Sequence, residues 1–285
     1  MRALRAPLTA ALGTTALLAL AQAAPATAMP LAPDTPQHSP HAAAADAHPS
    51  AAGRYAAPDD YYKNAEGKSG PELKTALHGI IKDADTLSYD EVWDALKATD
   101  QDPADSSHVI LLYSGRSQSA DDNGGGADQW NREHVWAKSH GDFGTSPGPG
   151  TDVHHLRPAD VSVNSQRGNK DFDKGGEEVD EAPGNFTDDD SFEPRDEVKG
   201  DVARMVLYMA VRYDGEDSFP DLEPNDKVDN GSAPHLGRLS VLKQWSEQDP
   251  PDDFEKRRND VIYDQFQHNR NPFVDHPEWV GSVWS

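Results

Sequence analysis

Two polar stretches of the chain carry the residue types from which a catalytic site could be built. The first is WNREHVWAKSHGDF, residues 130–143, and the second is DVHHLRPADVSVNSQRGNKDF, residues 152–172. His134 can deprotonate water near neutral pH, because imidazole titrates there. Glu133 offers a hard carboxylate oxygen of the kind that Mg²⁺ prefers, and Asn164 offers an uncharged amide oxygen. With nearby guanidinium groups, this set predicts metal-assisted hydrolysis of a phosphodiester.

The cations of the chain cluster around these stretches, although the chain as a whole is strongly acidic. Its formal net charge of −24 argues against a protein that coats nucleic acid non-specifically. A metal ion and a local group of cations can still hold one phosphate. We interpret Arg132 and Arg157 as substrate-binding residues. The cluster as a whole comprises Arg132, Lys138, Arg157, Arg167, Lys170 and Lys174.

Hydrophobic periodicity predicts the elements that must position these residues. Helical spacing of apolar residues indicates helices over 71–82, 89–96, 198–213, 236–245 and 253–266, and the apolar run 108–113 indicates a buried strand. Extended segments over 131–136 and 152–157, the second ended by Pro158, precede a helical start at 159. Neighbours on an extended segment point to opposite faces, so Glu133 and His134 could flank one phosphate. We predict an α+β fold that is mostly helical.

Composition divides the chain into three parts. Residues 1–28 resemble a secretory signal, with Arg2 and Arg5 before an Ala/Leu-rich run and a small-residue cleavage site. Residues 29–58 have almost no large apolar side chain, which predicts a flexible leader. Residues 59–285 are long enough for one domain with a well-buried core. The chain has no cysteine, which excludes thiol catalysis and cysteine-based zinc sites. A secreted, extracellular location without a membrane anchor is expected.

The two stretches resemble the endonuclease I family, in the ββα-metal (His-Me finger) group of nucleases, and are most similar to its Gram-positive extracellular ribonuclease/deoxyribonuclease branch. The resemblance covers nearly the whole domain. It includes YYKNAEGKSGPELKTALHGII, LLYSGRS, WNREHVWAKSHG, TDVHHLRPADVSVNSQRGNKDFD, EVKGDVARMVLYM and NRNPFVDHPEW. It implies a small ββα site embedded among helices. One departure is the absence of cysteine, since the periplasmic branch carries disulfides.

The resemblance implies a role for each matching residue. His134 falls on the general base, and Glu133 and Asn164 fall on the metal ligands. Mg²⁺, or another divalent cation such as Ca²⁺ or Mn²⁺, would be the cofactor. DNA and RNA would be the substrates and 5′-phosphate ends the products, with no obligate protein partner. An arginine near the leaving oxygen would assist catalysis. The candidates for it are Arg157, Arg167 and Arg270, of which we favour Arg167.

Other interpretations of the same residues stay open at this point. The acidic runs 177–181 and 188–190 are typical of a solvated surface, but they also suggest a calcium-dependent extracellular binding protein without catalysis. His134, His140 and His154 could instead form a zinc hydrolase site, although the chain has no HExxH pair. His154 and His155 alternate along an extended segment, so one should face inward. We interpret His154 as a structural histidine that supports the residues predicted to bind the substrate.

Overall fold

The computed structural model describes Pro58 and residues 60–285, so the predicted signal and nearly all of the predicted leader lie outside the described residues. Within this part, the chain forms α1 (Gly70–Ile81), α2 (Glu91–Thr99), α3 (Val161–Arg167), α4 (Lys199–Arg212), α5 (Leu239–Gln248), α6 (Asp253–Gln265), α7 (Pro272–Asp275) and α8 (Trp279–Val283). A 3₁₀ turn at Asp196–Val198 precedes α4. No helix of these residues has the length and apolar character needed to cross a membrane.

The strands are short and belong to four small sheets. They are β1 (Gln101–Asp102), β2 (Asp105–Ile110), β3 (Ser117–Ser119), β4 (Trp130–His134), β5 (Leu156–Asp160), β6 (Asp171–Phe172), β7 (Glu177–Glu178), β8 (Phe186–Thr187), β9 (Ser191–Glu193), β10 (Glu223–Pro224) and β11 (His235–Leu236). The sheet orders are β1-β2-β3, β4-β5, β6-β9-β8-β7 and β10-β11. The β10-β11 and β6-β9 pairs are parallel, and the others are antiparallel.

Helices and small sheets together confirm the α+β class. The narrower prediction of a mostly helical domain is not confirmed, because long turns and loops join the elements. Helix α1 is one residue from its predicted bounds, with Pro71 in its first turn, where the missing N–H costs nothing. The acidic runs lie mainly on exposed strand ends and turns, as expected of a solvated surface.

Helix α4 is the centre of the main hydrophobic core. Every residue from Gly200 to Arg212 is buried, since the helix packs against α1, α5 and α7. A helix enclosed on all sides must pair the polar side chains that it carries. Asp201 and Arg204 do so through ion pairs. A second apolar cluster, which includes Val92, Leu96 and Trp130, lies between α2, α6 and the β4-β5 pair.

The β4-β5 pair positions the predicted site. Glu133 lies opposite Arg157 and His134 opposite Leu156 in antiparallel register, and α3 begins directly after β5. The predicted end of the second strand was wrong, because β5 continues through Pro158 to Asp160. The carbonyl of Pro158 accepts a hydrogen bond from the Leu112 N–H, on the side away from β4. The nitrogen of Pro158 points to the same side as its carbonyl. The N–H that proline lacks therefore leaves no gap in the β4-β5 ladder.

Candidate active site

A cleft of about 530 Å³ opens at the end of the β4-β5 pair. Strand β4 contributes Asn131, Arg132, Glu133 and His134 to its wall, because the strand ends at the cleft. Helix α3 and the turn after it add further polar groups, and α2 with the segment before it adds two aromatic rings. Residues outside β4 that line the cleft include Asn164, Arg167, Lys138, Tyr89 and Trp93. The structure thus brings together Glu133, His134, Asn164, Arg132 and Arg167.

Glu133 is a buried carboxylate at the edge of the cleft, 1% exposed. Its Oε1 accepts a hydrogen bond of 2.7 Å from the Tyr113 hydroxyl and lies 3.3 Å from Nη1 of Arg167. Burial raises the pKa of Glu133, although the Arg167 guanidinium acts in the opposite direction. The carboxylate is therefore held in one orientation while its desolvation is only partly offset. A cation in the cleft would offset the remainder.

His134 is held by a backbone carbonyl in a defined orientation. Its Nε2 lies 3.1 Å from the Gly150 carbonyl oxygen, which can only accept, so Nε2 carries the proton. Gly150 has no room for a side chain, because a Cβ there would lie 2.7 Å from the Gly144 carbonyl oxygen. Burial lowers the pKa of His134 well below its usual value, and the nearby His155 lowers it further. The imidazole is therefore neutral at pH 7, with an unprotonated Nδ1.

Asn164 reaches the cleft from the middle of α3. Its Nδ2 donates a hydrogen bond of 2.7 Å to Oδ1 of Asn131, so the amide nitrogen is engaged and Oδ1 remains as an acceptor. Asn131 and Glu133 are two residues apart on β4 and share one face of the strand. Gly168 ends the helix with a φ of 60°, which glycine adopts without strain. Sequence reasoning missed Asn131, although its i,i+2 spacing from Glu133 was a usable signal.

Arg167 lines the cleft but holds protein groups. It is 1% exposed, and its guanidinium donates to the backbone carbonyls of His134 (2.9 Å) and Val135 (2.7 Å). With the Glu133 ion pair, these bonds fix the end of β4 to α3. The guanidinium also lies 4.7 Å from the ring centre of Phe172. The geometry favours positioning of Glu133 and the strand end, and the proposed role in catalysis stays a prediction.

Arg157 and His154 lie away from the cleft. The Arg157 guanidinium is paired with the buried carboxylates of Asp100 and, at 3.3 Å, Asp201. His154 is buried with its Nε2 3.1 Å from Oδ1 of Asn269. Tertiary packing thus gives both residues other partners, and the structure does not bring them to the predicted substrate-binding surface.

His155, which the sequence argument did not select, lies beside the active-site histidine. Its ring centre is 5.7 Å from that of His134, while its Nε2 donates to the Pro149 carbonyl at 2.8 Å. Both His154 and His155 are buried. Residues 153–155 form a turn rather than the predicted strand, so alternation between two faces does not apply to them. The expectation that one of the two histidines faces inward and the other outward was therefore wrong, whereas His154 itself is buried.

The three histidines of the zinc alternative do not meet. Nδ1 of His140 lies 2.6 Å from the His235 carbonyl and Nε2 of His154 faces Asn269, whereas His134 bonds to Gly150. The one acid–histidine group within the described residues that could hold a metal is His78, Asp214 and Glu216, outside the cleft. His78 Nδ1 bonds to the Val211 carbonyl and Lys82 pairs with Glu216, so an ion-pair cluster explains this group.

The cleft itself suits a hard divalent cation. Its oxygen groups are the buried Glu133 carboxylate and the Asn164 amide, which are the ligand types that Mg²⁺, Mn²⁺ and Ca²⁺ take. Two protein ligands would leave positions for water and phosphate. The observation that supports the fit is that a buried carboxylate and an amide whose nitrogen is already hydrogen-bonded line the same cleft.

Comparison with known proteins identifies the class to which this site belongs. The family model for endonuclease I matches residues 69–278. The extracellular ribonuclease of Bacillus subtilis (strain 168) is 64% identical over 230 residues, which cover 81% of this chain and 80% of that protein. The extracellular ribonuclease of Bacillus amyloliquefaciens is 65% identical over 226 residues, which cover 79% and 78%.

The site and the matches define a nuclease, an enzyme that hydrolyses phosphodiester bonds of nucleic acid. The chain belongs to the endonuclease I family, as its sequence motifs predicted. Members of this family depend in general on a divalent metal. The alternative of a binding protein without catalysis is set aside, because the match covers most of the chain and includes the whole cleft.

Proposed function

We propose that this protein is a secreted, sugar-non-specific endonuclease that cleaves DNA and RNA with a His134-activated water and leaves 5′-phosphate ends. The observation that carries the proposal is the hydrogen bond from His134 Nε2 to the Gly150 carbonyl. It fixes the tautomer in which Nδ1 can accept a proton. Burial keeps the pKa of His134 low, so this base is available at neutral pH.

The chemistry divides between proton transfer and charge stabilisation. His134 Nδ1 takes a proton from water, the hydroxide forms a bond to phosphorus, and the bond from phosphorus to the 3′-oxygen breaks. The departing 3′-oxygen takes a proton from solvent water and leaves as a 3′-hydroxyl. Glu133 and Asn164 would hold the cation, with Asn131 and Tyr113 fixing their orientation. A bound Mg²⁺, or Ca²⁺ or Mn²⁺ in its place, would neutralise charge on the phosphate and leaving oxygen. Arg167 keeps the Glu133 carboxylate in place.

The lack of sugar discrimination follows from the nucleophile. Water attack does not use the ribose 2′-hydroxyl, so the same groups can act on either polymer. Both Bacillus relatives are named as ribonucleases, which supports RNA as one substrate. Their extracellular description, together with the signal-like residues 1–28, supports secretion.

A cleavage assay tests this function. Purified mature protein is incubated with plasmid DNA and with structured RNA, in Mg²⁺ and in EDTA, beside the His134→Ala variant. We expect metal-dependent cutting of both polymers, and a loss of about 10²- to 10⁴-fold in His134→Ala, the range for a general base. Product ends are checked by ligation, which requires a 5′-phosphate.

Each part of the proposal has its own failing result. Cutting that persists in a folded His134→Ala protein would reject His134 as the base. Cutting of RNA alone would reject the lack of sugar discrimination. Full activity in EDTA would reject the proposed dependence of cleavage on a divalent metal.

A further inference from the structure

Arg132 lies between two aromatic rings at the wall of the cleft. Its guanidinium carbon is 3.4 Å from the ring centre of Tyr89 and 3.9 Å from that of Trp93. Nη1 also donates a hydrogen bond to the Tyr89 carbonyl. The planar cation is thus fixed by two ring faces and one backbone acceptor, all of them uncharged.

No carboxylate of residues 60–285 lies within ion-pair distance of Arg132, although the charge of Asp90 attracts it from further away. Arg257 is the other arginine of these residues without an ion pair, and it donates to the Ala98 and Thr99 carbonyls and to Gln101. The six buried arginines of these residues each pair with at least one carboxylate, namely Arg157, Arg167, Arg204, Arg212, Arg258 and Arg270, whereas Arg132 is half-buried. The rings therefore immobilise Arg132 without neutralising it, and its positive charge remains available to the cleft.

We propose that Tyr89 and Trp93 clamp Arg132 into a preformed binding site for a backbone phosphate of the nucleic acid, beside the phosphate that is cut. The inference rests on the proposed function and adds a subsite to it. Arg132 contacts the substrate, and the two rings are positioning residues. Preformation matters because a side chain that is already ordered loses little entropy when it binds.

The clamp predicts that charge alone is insufficient at position 132. Lysine would keep the charge, but its ammonium lacks the planar surface that stacks on two rings. Trp93 is the cleaner ring to change, because its described ring contacts are with Arg132 and Trp130. Tyr89 also stacks against His134, at 5.9 Å between ring centres, so its loss would disturb the base as well.

The experiment measures binding without cleavage. A fluorescein-labelled single-stranded DNA is titrated, with Mg²⁺ over a series of salt concentrations, into His134→Ala protein carrying Arg132→Ala, Arg132→Lys or Trp93→Leu. Lys97→Ala is the matched control, since it removes one exposed cation from the same helix that carries Trp93. Thermal unfolding of every variant verifies the fold.

One lost phosphate contact has a defined signature. We expect Arg132→Ala to raise Kd and to reduce the slope of log K against log salt by about 0.7. Arg132→Lys and Trp93→Leu should raise Kd roughly three- to tenfold, the range for one or two cation–π contacts. In the active background, Trp93→Leu should raise KM by a similar factor and leave kcat within about twofold.

Two results would overturn the clamp. Arg132→Ala with the affinity and salt slope of Lys97→Ala would show that no phosphate is bound there. A normal Kd in folded Trp93→Leu or in Arg132→Lys would show that stacking is irrelevant. Both results are independent of cleavage, so they are distinct from a failure of the proposed function, which appears as cutting by the His134→Ala parent.

Discussion

Two charged regions, a buried ion-pair network and the cleft, meet at the β4-β5 pair. Both contain arginine and acidic residues, but these residues have different partners in each region. Under β5, a buried ion-pair network consists of Asp100, Arg157, Asp201, Arg204, Glu255 and Arg258. In this network each charge has an opposite partner. In the cleft, Arg132 forms no ion pair with a carboxylate of residues 60–285, and burial raises the pKa of Glu133 despite the nearby Arg167. Glu133 and Arg157 are cross-strand neighbours, yet one belongs to each region.

The difference shows how an acidic chain can keep cations for a phosphate. A guanidinium that is already paired contributes to the fold and has little left to offer a substrate. A guanidinium that is held by rings and carbonyls is equally well ordered and retains its charge. An arginine therefore belongs to one region or the other according to its partners in the fold. Its distance along the sequence from the Glu-His pair does not decide this.

The largest expected effect is on the network. Asp100 is buried and accepts from both Arg157 and Arg258, so Asp100→Ala leaves two guanidinium groups without this partner. We expect a loss of about 3–5 kcal/mol in the free energy of unfolding, measured by urea denaturation. Asp121→Ala is the control, because Asp121 pairs with Lys97 at the surface and should cost less than about 1 kcal/mol. Equal losses in the two variants would contradict the distinction.

A slightly smaller effect concerns pH. Burial lowers the pKa of His154 and of His155 to about 4. In the unfolded chain imidazole takes up a proton near pH 6.5, so the unfolded state binds more protons between pH 6.5 and 4. Stability should therefore fall across this window as pH decreases, by on the order of 3 kcal/mol for each histidine.

Variants of one buried and one exposed histidine test this pH dependence. Urea denaturation at pH 7 and pH 4.5 should show a smaller pH-dependent loss in His154→Gln than in the wild type. His268→Gln, at an exposed position, should keep the wild-type dependence. A wild-type dependence in His154→Gln would exclude His154 as a source.

The smallest expected effect sharpens the description of the cleft. Asn131→Ala removes the acceptor that orients the Asn164 amide. Supporting residues of this kind change metal affinity by about 10- to 100-fold, and we expect a loss in that range, measured by calorimetric titration with Mg²⁺ without substrate. Asn131→Asp keeps an acceptor oxygen and should bind the metal at least as well as the wild type. Unchanged Mg²⁺ affinity in Asn131→Ala would mean that the hydrogen bond to Asn131 is not needed to orient Asn164.

Local sequence predicted the parts of the site that follow from short-range geometry. Glu133 and His134 are adjacent on one strand, and α3 starts within a residue of β5, so the chain itself brings Asn164 near them. The same reasoning failed for Tyr89 and Trp93. Their spacing indicates an amphipathic helix, and nothing in that pattern shows that the rings hold an arginine from another strand.

The sequence by itself determined the family of this protein and the chemistry proposed for it, because the proposed base, carboxylate and amide and the family motifs all lie in contiguous stretches. Only the tertiary structure decided which cations serve that chemistry. Arg157 is paired by carboxylates from α2 and α4 or their ends, whereas Arg132 is held by rings. These partners are distant in sequence, and the free energy of a buried charge depends on what surrounds it in space.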